Sequence, residues 1–197
     1  MNNLRLKNLH SPEIAPIKYL IEKEISTSLI FSIIFNFAFK NRLDNVLDEL
    51  IHKTDSLDYI VDFSRQRTAL AMTASEMNYH HWFKKLLDAG ANPHTKSNKG
   101  EIEFLSNVLH LSIYYNEFEN IEYLYEKKIC SLDEILLACF NMKNFILFQH
   151  FLNLATKQQI SHFIAKSKLL PKKVINKKYT DSQYNKIIDT LFKEHEN

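Results

Sequence analysis

The chain has 197 residues, 45% of them hydrophobic and 24% charged, with a net charge of +2. That length carries a substantial buried core, and the composition is ordinary globular usage. The small net charge gives no reason to expect a polyanionic partner. The only two cysteines, Cys130 and Cys139, suit reduced, buried thiols in a reducing compartment, not disulfide staples.

Taken in chain order, the start Met1-Asn2-Asn3-Leu4-Arg5-Leu6-Lys7 lacks the apolar stretch and cleavage site of a signal peptide, so a cytoplasmic location is expected. Ser11-Pro12-Glu13 marks a helix start, and Ile14, Ile17, Ile21 and Ile25 follow at roughly helical spacing. Residues 1–27 therefore predict an N-terminal capping helix. The apolar run Leu29 to Phe39 is interrupted by Ser32 and Asn36 and is shorter than the roughly 20 residues that cross a bilayer, so it predicts a buried helix. Ile33 to Phe39 and Leu43 to Ile51 form a first helix pair.

A long segment, His52 to Arg67, leads to a second pair opened by Thr68-Ala69-Leu70-Ala71-Met72-Thr73-Ala74 and closed by Leu86-Leu87-Asp88-Ala89-Gly90-Ala91-Asn92-Pro93. A second long segment, Pro93 to Ser106, precedes a third pair over residues 107–128. A fourth runs from about Leu132 to Leu154, with Ala138-Cys139 as a small-residue pair and Phe148, Phe151 and Leu152 as an apolar stripe. Thr156-Lys157-Gln158-Gln159 is a capping-box pattern leading into Ile160, Phe163 and Ile164. Pro171 ends that helix, and Ile187, Ile188, Leu191 and Phe192 suggest a last one, making residues 156–197 a C-terminal helical cap and tail.

Residues 107–128, beginning Asn107-Val108-Leu109-His110-Leu111-Ser112, resemble without a gap the two-helix part of an ankyrin repeat, whose signature begins Thr-Pro-Leu-His-x-Ala. The second pair resembles it too, at the cost of one extra residue near Ser75 to Met77. The resemblance is clearest over residues 67–129 and weaker over 28–66 and 130–155. In the first weak copy, Asn41-Arg42-Leu43-Asp44-Asn45-Val46 aligns with Asn116-Glu117-Phe118-Glu119-Asn120-Ile121. The implied fold is an all-α, ankyrin-like solenoid of about four helix-turn-helix repeats over residues 28–155, with helical caps at both ends. Leu70 and Leu109 stand 39 residues apart against the family's period of about 33, so long hairpins between repeats are expected. Glycine, usual between the helices of such units, occurs only as Gly90 and Gly100. Asn41, Asn78, Asn116 and Asn141 stand at or near those turns, and asparagine tolerates the left-handed conformation.

No catalytic, metal or cofactor site is expected. Of nine histidines, His80 and His81 are adjacent and point to different sides of a helix, whereas ligands from one helix need a spacing of three or four. The resemblance gives His110 a structural, hydrogen-bonding role. Cys139 with His150 is the one nucleophile–base pair to consider, and Cys139 falls at a packed position where a thiol is inert. The glycines are too few for a phosphate-cradling loop. Lys166, Lys168, Lys172, Lys173, Lys177 and Lys178 form an acid-free stretch that could track phosphates, while Glu119, Glu122 and Glu126 segregate the opposite charge and suit a charged protein.

The resemblance marks the two residues after each small-residue pair as facing the concave groove: Phe39 and Lys40, Ser75 and Glu76, Tyr114 and Tyr115, Phe140 and Asn141. Aromatic residues there suit interface hot spots, unless caps or loops cover them. Arg65, Arg67, Lys96, Asn98, Lys99 and Glu101 on the long hairpins would add charged or polar specificity. The function implied is non-enzymatic binding of one protein. Size, missing export signal and Asn/Lys/Ile-rich composition look like bacterial ankyrin proteins that occlude a co-encoded toxin. A secreted effector or adapter, and a nucleic-acid binder using Lys166 to Lys178, are the alternatives.

Overall fold

A computed structural model describes residues 28–95 and 107–167. The chain is mostly helical, and it divides into two compact units with the boundary between Val108 and Leu109. Among the described residues no helix is long and apolar enough to cross a membrane.

The first unit contains α1 (Ser28–Asn41), α2 (Asp44–Lys53), β1 (Ile60–Asp62), β2 (Arg67–Thr68), α3 (Ala69–Thr73) and α4 (His80–Asp88). Its core is the apolar face of α1, namely Phe31, Ile34, Phe35, Ala38 and Phe39, against Leu47 and Leu50 of α2, Leu70, and Trp82, Phe83 and Leu86 of α4. The two helix hairpins of this unit are joined by aromatic rings: Phe39 stacks on Tyr79 at 4.0 Å, and Trp82 meets Phe35 and Phe39 edge-on at 5.9 and 5.7 Å. Tyr79 Oη donates to the Phe39 carbonyl at 2.7 Å and Trp82 Nε1 to Asp44 at 2.7 Å, so both polar handles are satisfied as they are buried.

The second unit contains α5 (Val108–Tyr115, beginning at the boundary), α6 (Phe118–Glu126), α7 (Leu132–Asn141), α8 (Phe145–Leu152) and α9 (Lys157–Ser167). Leu111, Ile113, Ile121, Leu124, Ile135, Leu136, Cys139, Leu147 and Phe151 are fully buried. Asn144 joins its two hairpins, donating from Nδ2 to the Ile113 carbonyl at 2.8 Å and to Asn116 Oδ1 at 2.7 Å. Both capping boxes close reciprocally: Ser131 with Glu134, and the expected Thr156 with Gln159.

Most reversals are Schellman motifs. Leu43 N–H donates to Ala38 O, Glu117 to Ser112 and Asn144 to Cys139, while the preceding Arg42, Asn116 and Lys143 have φ of 54°, 61° and 52°. Gly90 and Lys128, at φ 96° and 57°, end α4 and α6 in the same way. Asparagine fills the left-handed position at Asn116 and Asn78 (φ 70°), as expected, but Arg42 and Lys143 fill it where Asn41 and Asn141 were expected. Arg42, not Asn41, therefore corresponds to Asn116, and the alignment of the first hairpin shifts by one residue.

Candidate functional site

The long hairpin expected after His52 exists as β1 and β2, antiparallel with Ile60 opposite Thr68 and Asp62 opposite Arg67. Asp62 Oδ1 builds its turn by accepting from the Ser64 and Arg65 N–H groups at 3.0 and 3.2 Å and from Ser64 Oγ at 2.6 Å. Burial alone would raise the Asp62 pKa, but these hydrogen bonds and the charge of Arg65 outweigh it and hold the carboxyl below its ordinary value. Gln66 closes the loop at φ 55°.

Two polar residues one turn apart inside the apolar helix α1 fix this hairpin. Ser32 Oγ lies 2.6 Å from the Ile60 carbonyl and 2.7 Å from that of Ser28, and Asn36 Nδ2 donates to the Val61 and Ser32 carbonyls at 2.6 and 2.8 Å. The interruptions in the run Leu29 to Phe39 are thus the attachment points for a strand. Between α1 and the hairpin lies an open groove of about 520 Å³ whose walls include Ile33, Asn36, Phe37, Lys40, Phe63 and Met72. Ile33 and Phe63 remain 56% and 60% exposed.

The sequence-predicted contact residues divide according to the corrected register. Phe39 is not a groove residue: it is buried between Tyr79 and Trp82. Ser75 and Arg67 are not surface groups either; both are buried, and Arg67 Nη1 donates to Ser75 Oγ at 2.8 Å. Phe140 is half-buried and packs edge-on against Phe163 of the capping helix α9 at 5.4 Å. Lys40, Glu76 and Arg65 are exposed, and Asn141 is half-buried. Tyr114 is 42% exposed, and its ring meets that of half-buried Tyr115 at 5.0 Å. Lys96, Asn98, Lys99 and Glu101 lie outside the described residues, as do the capping helix at 1–27 and the stretch from Lys168 onward; nothing is described for the Lys166 side chain.

Counting back from each left-handed residue gives the outward positions that counting from the small-residue pair missed. Two and one residues before Arg42, Asn78 and Asn116 stand Lys40 and Asn41, Glu76 and Met77, Tyr114 and Tyr115, all at least half-exposed. Before Lys143 the pair is half-buried Asn141 and buried Met142. Met77, at 72% exposure, stands one place beyond the expected pair because of the extra residue in the α3–α4 turn.

Three of the nine histidines pair with a carboxylate on a neighbouring helix. His81 Nε2 faces Asp44 at 3.0 Å, His150 faces Glu122 at 3.1 Å and His162 faces Asp133 at 3.6 Å. No group of three or more side chains able to hold a metal converges among the described residues. Burial pushes the Cys130 thiol up to about 11, with the Glu134 charge adding to it, and pushes Cys139 still further above the thiol range. A thiol in that state supplies no nucleophile. No protein-family model, curated protein or solved structure matches the chain.

Proposed function

We propose that the chain is a divergent ankyrin-like module that binds one protein through the outward positions of its helix hairpins and blocks that protein, as a bacterial immunity protein blocks a cognate toxin. The observation that carries the reading is the outward pair repeated before the left-handed residues Arg42, Asn78 and Asn116, which puts Met77, Tyr114 and part of Tyr115 in solvent. Aromatic and methionine side chains are enriched at protein interfaces, where they bury large apolar area. The resemblance over residues 67–129 points the same way, since repeat units of that family contact partners with those positions and their hairpins. An adapter or effector would use the same surface.

The test begins with affinity capture from the native cell and continues with calorimetry on the purified partner. Replacing Tyr114 and Tyr115 together by Ala should weaken binding by more than about 2 kcal/mol while leaving the thermal transition unchanged. Unchanged affinity, or an unfolded double variant, would remove these tyrosines from the interface. Inhibition of the partner's own activity at one-to-one stoichiometry separates neutralisation from adapter function.

A further inference from the structure

We infer that the groove between α1 and the β hairpin seats an amphipathic helix of the partner, one whose apolar stripe is followed by a carboxylate; this rests on the protein-binding reading above. An extended peptide docks by adding its backbone to a strand edge, which requires free carbonyls. Here the Ile60 and Val61 carbonyls already accept from Ser32 and Asn36. Side-chain docking remains, and Ile33, Phe37, Met72 and Phe63 supply apolar walls for it. Ile33, Phe37 and Lys40 lie on one face of α1 over about two turns, roughly 10 Å, the length over which a helix presents residues spaced by three and four.

Charge sets the occupant's polarity. Asp62, the acid in the groove wall, has the Oδ1 oxygen committed to the hairpin turn. Lys40, at the opposite end of the stripe from Ile33, is exposed and forms no ion pair with any described residue. Asp62 keeps its negative charge beside Arg65, whereas Lys40 has no ion-pair partner among the described residues, so an acid one turn beyond the ligand's apolar stripe complements Lys40.

The experiment uses the full chain and two stapled helical peptides of about four turns, identical except for Glu or Lys one turn after a leucine stripe. Fluorescence anisotropy should show saturable micromolar binding of the Glu peptide and about fivefold weaker binding of the Lys peptide. Lys40→Glu, an exposed change that does not threaten the fold, should reverse that order, and Phe37→Glu should abolish both signals. Absence of saturable binding, or a preference indifferent to Lys40→Glu, overturns the assignment. So does a concentration-dependent dimer abolished by Phe37→Glu, which would give the groove to a second copy of this chain. A captured partner that needs Tyr114 and Tyr115 yet ignores Lys40→Glu would also overturn it, while leaving protein binding intact.

Discussion

The two units join one helix hairpin to the next by different chemistry. At the residue that follows a left-handed turn, the first hairpin of the first unit has Leu43 and the second hairpin of the second unit has Asn144, both 8% exposed. Leu43 caps nothing, and its unit relies on the rings of Phe35, Phe39, Tyr79 and Trp82. Asn144 accepts from Leu147 N–H to start α8 while its amide reaches back to Ile113 and Asn116. Apolar joints lose stability in proportion to the area and volume removed, whereas a buried amide leaves its former partners unsatisfied as soon as it goes.

The largest effect expected from this contrast is at Trp82. Trp82→Ala should cost about 3–5 kcal/mol by leaving a cavity against Phe35 and Phe39, read as a shift in the urea midpoint of the helical circular dichroism. Asn144→Ala should cost less, about 1–3 kcal/mol, and Asn144→Leu, which copies Leu43, should recover little because the Ile113 carbonyl loses one of its donors and the Leu147 N–H its side-chain cap. Equal losses for Trp82→Ala and Asn144→Ala would erase the distinction between the joints. The smallest effect has the opposite sign. Exposed Lys128 ends α6 with the motif that Gly90 provides for α4. Lys128→Gly relieves a left-handed cost of roughly 1–2 kcal/mol, offset by the roughly 0.5–1 kcal/mol of extra backbone entropy that glycine loses. A net gain of up to about 1.5 kcal/mol, seen as a higher melting temperature, is expected; a loss would mean that the Lys128 side chain holds the turn by contacts of its own.

The helix hairpins, the capping box at Thr156 and the long hairpin after His52 were all legible in the sequence, because apolar spacing and cap residues act locally. The register of the first hairpin was not. Asparagine is the residue expected at such turns, yet Arg42 and Lys143 adopt the left-handed conformation, and nothing in their side-chain chemistry announces it. One residue of error was enough to place Phe39 outside when it belongs in the core. Arg67 was misread for a related reason: a cation on a hairpin reads as a surface group, while its hydrogen bond to Ser75 is formed across residues that only the fold brings together. Ser32 and Asn36 stand out as breaks in an apolar run, but their carbonyl partners on β1 lie 28 and 25 residues away.

Trp82 is the chain's single tryptophan, and it stands fully buried at the ring joint of the first unit with its indole nitrogen bonded to Asp44. The intrinsic fluorescence of the whole protein excited at the red edge of the absorption band is therefore a local optical gauge. Its emission reports the dryness of one joint and carries no direct signal from the second unit, whose described rings are tyrosine and phenylalanine. An emission-detected denaturation curve and one followed by backbone dichroism observe different parts of this chain. Any gap between them measures how far the two units share a single transition.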